Sequence, residues 1–134
     1  MYSINYMSEK FDLPLSTIRY YEEIGLLENV VHQGNRRVFS DEHIDRLNAI
    51  ECFKKARLSL DDIKKFFEYE KDMASNSSKI LEMMESQEKE TQAELEKLKA
   101  GLEHLQKKVK YYSCVNEAVL EGREIPKWND IIAE

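Results

Sequence analysis

Five polar side chains crowd one short stretch of this sequence: Ser16, Thr17, Arg19, Tyr20 and Tyr21, within residues 13–27. Together they supply a guanidinium and four hydroxyls. That set suits contact with double-stranded DNA, because hydroxyls bond phosphate oxygens and Arg reaches a phosphate or forks onto a base edge. The plainer reading is a surface Arg over a core Tyr. Arg19 and Tyr20 favour contact most, Ser16 and Thr17 are first-turn candidates, and Tyr21 lies between the outward and inward faces. A second cationic group, Arg36 and Arg37, could hold phosphates, one better than the other because neighbouring strand residues point to opposite faces. The third candidate is Cys52, with Lys54, Lys55 and Arg57 close behind it. Positive charge favours the reactive thiolate, although by spacing alone a free cysteine is more often a small buried apolar residue. Cys114 has no such company and reads as incidental or as a secondary thiol.

Nothing resembles catalytic machinery. There is no nucleophile–base pair, phosphate loop or metal motif, so no enzyme, no metal and no cofactor is expected. The two cysteines lie far apart, and His32, His43 and His104 show no ligand spacing. The formal net charge of -6 looks unfavourable for a DNA binder, but it is unevenly spread. Residues 1–57 carry 8 Lys/Arg against 9 Asp/Glu, and residues 58–134 carry 12 against 17. Arg19, Arg36 and Arg37 can therefore gather on one side of a nearly neutral half. No apolar run is long enough to span a membrane and no secretory pattern opens the chain, so a cytoplasmic location is expected.

These side chains need elements to position them. Ser3 can cap a first helix whose apolar stripe is Ile4, Met7 and Phe11. Pro14 breaks it, and a second helix carries Leu15, Ile18 and Ile24 inward until Gly25 stops it. Two short helices over about residues 3–25 with so tight a turn predict a helix-turn-helix. Val30-Val31, a Gln-Gly-Asn turn and Val38-Phe39 predict a hairpin within about residues 28–39, a wing bearing Arg36 and Arg37. Helices follow over about 40–56, capped by Ser40, and 59–71, capped by Ser59. Residues 1–72 thus form a DNA-binding domain. The Ser- and Asn-rich residues 73–78 read as a linker. A long helix over 79–112 carries Leu95, Leu98, Leu102, Leu105, Val109 and Tyr112 at alternating spacings of 3 and 4, a heptad seam. A lone helix cannot bury such a seam, so a second copy is the expected partner. Residues 113–134 form a short tail. Tyr69, Tyr111, Tyr112 and Trp128 could shape a small-molecule pocket there, with interface packing the more economical reading. The fold class is mainly α: a winged helix-turn-helix, a long dimerisation helix and a tail.

The block Ser16-Thr17-Ile18-Arg19-Tyr20-Tyr21-Glu22-x-x-Gly25-Leu26-Leu27, then Gly34-Asn35-Arg36-Arg37-Val38-Phe39-Ser40 and Leu58-Ser59-Leu60-Asp61-Asp62-Ile63, resembles the signature of the MerR family of transcriptional regulators. The resemblance covers about residues 2–70, and the long helix stands where that family has its dimerisation helix. It implies a homodimer with antiparallel long helices, bound to promoter DNA with an overlong spacer. It also implies that distortion of the spacer lets RNA polymerase read both promoter elements. On the wing it favours Arg37. The stretch Ile50-Glu51-Cys52-Phe53-Lys54-Lys55 is similar to the branch answering aldehydes and thiol stress (AdhR- and NmlR-like), which makes Cys52 the expected sensing residue. Two departures stand out. Arg57 occupies a helix-ending position where the family usually has Gly, and Ser77-Ser78-Lys79 replaces the cysteines of metal-sensing branches. The rival readings are a regulator sensing a small organic ligand at the helix–tail junction, and a coiled-coil interaction protein with a vestigial helix-turn-helix.

Overall fold

The computed structural model describes residues 1–133. Its elements are β1 (Tyr2–Ser3), α1 (Ile4–Phe11), α2 (Leu15–Glu23), β2 (Val31–Gln33), β3 (Arg36–Phe39), α3 (Asp41–Lys55), α4 (Leu60–Glu70), α5 (Met73–Leu120) and α6 (Trp128–Ile131). The chain divides into two compact units, Met1–Lys89 and the part from Glu90 onward.

In the first unit, Ser3 caps α1 by accepting from the Tyr6 amide at 3.1 Å. α1, α2 and α3 end in the same way. At the end of α2, the Gly25 and Leu26 amides return to the carbonyls of Glu22 and Tyr21. This is the Schellman arrangement, whose left-handed residue is Gly25 with φ 84°. α1 closes with Asp12 in that role and α3 with Arg57, at φ 51° and 73°. The tight ends let α1 and α2 fold back on each other, with Met7 and Ile18 fully buried between them and the rest of the domain.

The wing is a three-stranded antiparallel sheet in the order β1-β3-β2. Its hairpin turns through Gly34 and Asn35. Gly34 has φ 63°, at the first central position of a two-residue turn, where positive φ suits a type II′ turn. The register pairs Gln33 with Arg36, His32 with Arg37 and Val31 with Val38. β1 adds Tyr2 opposite Phe39 and Ser3 opposite Val38. This third strand was not expected from the sequence. Phe39, Leu47, Ile50 and Ile63 also belong to the core, and Met84 of α5 packs against it.

Residues 73–78 are helical, not a linker: α5 begins at Met73. The cause is Asp72, whose carboxylate accepts from the Ser75 amide at 3.2 Å. Asn76 adds bonds from its amide side chain to the carbonyls of Tyr69 and Asp72. Asp72 thus caps the start of α5, while the Asn76 side chain satisfies carbonyls where α4 gives way to it. The long helix also passes the expected end at Tyr112 and runs to Leu120, where Gly122 at φ 68° stops it.

The second unit has its own small core. Ala118 and Ile132 are buried. The tail after Gly122 returns along α5, Tyr111 donating to the Pro126 carbonyl at 2.8 Å. Trp128 packs on Tyr111 with centroids 5.2 Å apart, and Lys108 lies 4.7 Å from the Trp128 ring. The described residues contain no helix long and apolar enough to cross a membrane.

Candidate nucleic-acid interface

Helical periodicity sorts the candidate residues of α2. Ser16, Arg19 and Tyr20 are exposed, at i, i+3 and i+4 on one face. Thr17 is half-buried beside them, and Ile18 is fully buried. Tyr21 does not join that face. It is only 2% exposed, and its hydroxyl accepts from Lys54 Nζ at 2.7 Å. The bond to Tyr21 holds the Lys54 ammonium above its ordinary pKa, against the opposing effect of burial. The sequence left Tyr21 between two roles; its position in the packed domain makes it core.

Next to the exposed face lies a groove of about 520 Å³ between the start of the chain, α2 and the wing. Asn5, Arg19, Gln33, Asn35, Arg36 and Arg37 are among its lining residues. Arg19 and Arg36 are exposed and, among the described residues, unpaired. Arg37 differs. Its Nε donates to Glu22 Oε1 at 2.6 Å, and only 23% of its side chain is exposed. The other Glu22 oxygen meets His32 Nε2 at 2.7 Å. Burial alone would raise the Glu22 carboxyl, but bonds and charge from His32 and Arg37 outweigh it, so its pKa is lowered.

A second histidine fixes the entry to α3. His43 is 6% exposed. The Ser40 amide donates to its Nδ1 at 3.0 Å, and its Nε2 lies 2.7 Å from the Glu28 carbonyl. Those partners define the tautomer: Nδ1 accepts and Nε2–H donates. His43 thus ties the α3 N-terminus to the chain leaving α2.

The geometry is thus a small helix-turn-helix with an outward Arg-Tyr face beside a wing that bears two arginines. The sequence matches the MerR HTH family regulatory proteins over residues 2–70. The chain belongs to the MerR family. It is a DNA-binding transcriptional regulator of that family, and its relatives are regulators rather than enzymes. An uncharacterized HTH-type transcriptional regulator of Haemophilus influenzae is 34% identical over 107 residues, covering 78% of each chain. The HTH-type regulator YyaN of Bacillus subtilis is 34% identical over 67 residues, 49% of each chain. The crystal structure of HiNmlR, a MerR family regulator lacking the sensor domain and bound to promoter DNA, superposes with a TM-score of 0.77 at 29% identity, covering 91% of both chains. A MerR family regulator from Bacillus thuringiensis gives 0.68 at 26% identity, over 81% of this chain and 96% of that one.

In this MerR chain Cys52 is exposed on α3, not packed in the core as free cysteines usually are. One turn later the Ala56 carbonyl accepts from Gln87 of α5 at 2.9 Å. The seam residues Leu95, Leu98, Leu102, Leu105, Val109 and Tyr112 are all exposed, between 53% and 73%. Tyr111 and Trp128 pack on each other within the chain, while Tyr69 lies far off in sequence against Lys79. The described residues hold no cluster of His, Cys, Asp or Glu suited to a metal.

Sequence reasoning missed Glu22, His32 and His43. A signal for the first two was present. Once the turn is placed at Gly34-Asn35, pairing across the hairpin sets His32 beside Arg37, and a carboxylate beside the Arg-Tyr-Tyr run is their natural partner. His43 gave no such signal, because its partners are backbone groups.

Proposed function

We propose that this protein works as a homodimer on promoter DNA, with Ser16, Arg19, Tyr20 and Arg36 as the contact face and Thr17 at its edge. The observation carrying this reading is the exposed Ser16-Arg19-Tyr20 face bordering a groove lined by Arg36. The dimer pairs through the leucine seam. An exposed apolar stripe of six residues spaced for a coiled coil favours a second copy. The regulator distorts an overlong spacer so that RNA polymerase engages both promoter elements, acting as an activator.

The signal in this reading is a reactive aldehyde or other electrophile at Cys52, as part of a stress response. The Cys52 sulfur adds to the electrophilic carbon, and for an aldehyde the carbonyl oxygen takes up the thiol proton. Exposure of Cys52 gives the electrophile access. The Ala56–Gln87 bond, one turn further along α3, gives an adduct a route to α5.

Selection of genomic fragments followed by gel shifts at two salt concentrations tests the DNA role. A specific site that survives competitor and weakens with salt is expected. Failure to select any specific site would leave a coiled-coil interaction protein as the better description. For the signal, transcription from the selected promoter is compared in wild type and Cys52→Ser, with and without aldehyde. An equal response in both would remove Cys52 from the mechanism.

A further inference from the structure

The wing carries two adjacent arginines, and the structure uses them differently. His32 and Arg37 are directly opposed across the hairpin, so their side chains leave the same face of the sheet. Both end on one carboxylate of α2: Arg37 Nε on Glu22 Oε1 at 2.6 Å, and His32 Nε2 on Oε2 at 2.7 Å. The two hairpin strands, β2 and β3, therefore each have one side chain fastened to the same residue of α2. Arg36 sits one place earlier, pairs with Gln33, and is exposed.

We infer that Glu22 is a positioning residue that sets the wing against α2 through His32 and Arg37, that Arg37 is a strut rather than a phosphate ligand, and that Arg36 supplies the wing's phosphate contact. The inference rests on the DNA-binding face proposed above. Two features support it. A carboxylate aimed at phosphate would oppose binding, but here both Glu22 oxygens are engaged by the wing. Its side chain is only 19% exposed, which keeps solvent from competing for those bonds. The arrangement fixes two DNA-contacting parts, the α2 face and the Arg36 strand, in one geometry before DNA arrives. Less ordering is then left to be done on binding.

The experiment has two arms on the full-length protein. In the first, affinity for the selected operator is measured between about 50 and 200 mM salt for wild type, Glu22→Gln, Arg37→Gln, the Glu22→Gln/Arg37→Gln double variant and Arg36→Gln. Each phosphate contact contributes about 0.9 to the slope of log affinity against log salt. Arg36→Gln is expected to flatten the slope by roughly 2 across the two wings of a dimer. Glu22→Gln and Arg37→Gln are each expected to weaken binding roughly fivefold to tenfold at unchanged slope. The double variant should be no weaker than either, since both remove one shared interaction. Tighter binding by Glu22→Gln, or a slope flattened by Arg37→Gln as much as by Arg36→Gln, overturns the inference.

The second arm needs no DNA. Amide hydrogen exchange over residues 31–39 should accelerate about tenfold in Glu22→Gln, and unchanged exchange refutes the anchor. If wild type finds no specific operator, the DNA-binding reading fails in the first arm while the second still decides the anchor.

Discussion

Lys54 of α3 donates to the Tyr21 hydroxyl of α2 at 2.7 Å, and the same ammonium lies 5.5 Å from the centre of the Tyr21 ring. The two distances place the ammonium beyond the tip of a buried phenol, where the ring meets the edge of the core. The pair joins α2 to the helix that carries Cys52. It also explains why a tyrosine in the middle of a DNA-binding motif points inward: its ring fills the core and its hydroxyl meets a cation at the core's edge.

Tyr21→Phe keeps the ring and removes only the acceptor. The Lys54 side chain is 37% exposed, so water can replace the lost bond. The expected cost is about 1 kcal/mol of stability, seen as a fall in Tm of roughly 4 °C at fixed protein concentration. Operator affinity and its salt slope should stay within twofold of wild type. A flattened salt slope in Tyr21→Phe would return Tyr21 to the contact face.

Arg57 offers the opposite case, a residue in a conformation that its side chain resists. With φ 73° it sits in the left-handed region, while its amide and that of Leu58 close the end of α3 on the carbonyls of Lys54 and Phe53. A side chain there costs roughly 1–2 kcal/mol that glycine avoids, although glycine gives part of the gain back through unfolded-state freedom. Arg57→Gly should therefore stabilise the protein by about 1 kcal/mol, measured by denaturant unfolding at unchanged m-value. Destabilisation would mean that the Arg57 side chain makes contacts worth more than the backbone strain.

The sequence showed the parts of this protein that depend on local chemistry. Pro14, Gly25 and Ser3 mark the limits of two helices by steric and hydrogen-bonding rules that act within a few residues, and the helix-turn-helix followed from them. The Leu95-to-Tyr112 seam was legible because its period is that of a helix. β1 was not, since two residues carry no periodicity and their strand character comes from pairing with β3. Residues 73–78 misled because Ser and Asn favour loops until a side chain such as Asp72 captures the free amides of a helix start. At the candidate interface, the outward position of Arg19 followed from the inward spacing of Leu15, Ile18 and Ile24, and Arg19 is exposed. The pairing of Arg37 but not Arg36 was not legible, because it depends on which face of the wing meets Glu22.

The exposed seam makes a prediction about assembly. Leu98 and Leu105 are 73% and 61% exposed in the single chain. Burial against a second copy would contribute about 1.5–3 kcal/mol for each leucine. Leu98→Glu/Leu105→Glu should convert a dimer into a monomer in sedimentation at micromolar concentration. The helical signal should largely persist, and operator affinity should fall at least a hundredfold as two half-sites cease to be bound together. A wild type that sediments as a monomer, or a double variant that stays dimeric, would show that the seam has another use.

Burial opposes the charge on Glu22, but hydrogen bonds from His32 and Arg37 prevail, and the carboxyl titrates below its ordinary value of 4.5. A depressed carboxylate pKa means that the unfolded chain binds the proton more readily than the folded one. The stabilisation is therefore complete above about pH 4.5 and is lost as pH falls through the lower folded value. His32 and Arg37 are the groups facing the carboxylate, and their hydrogen bonds hold Glu22 ionised until it takes up its own proton. Glu22→Gln cannot make this transition. The stability gap between wild type and Glu22→Gln, from unfolding curves at matched concentration, should thus be larger at pH 7 than at pH 3. A gap of equal size at both pH values would mean that the Glu22 charge contributes nothing to holding the wing.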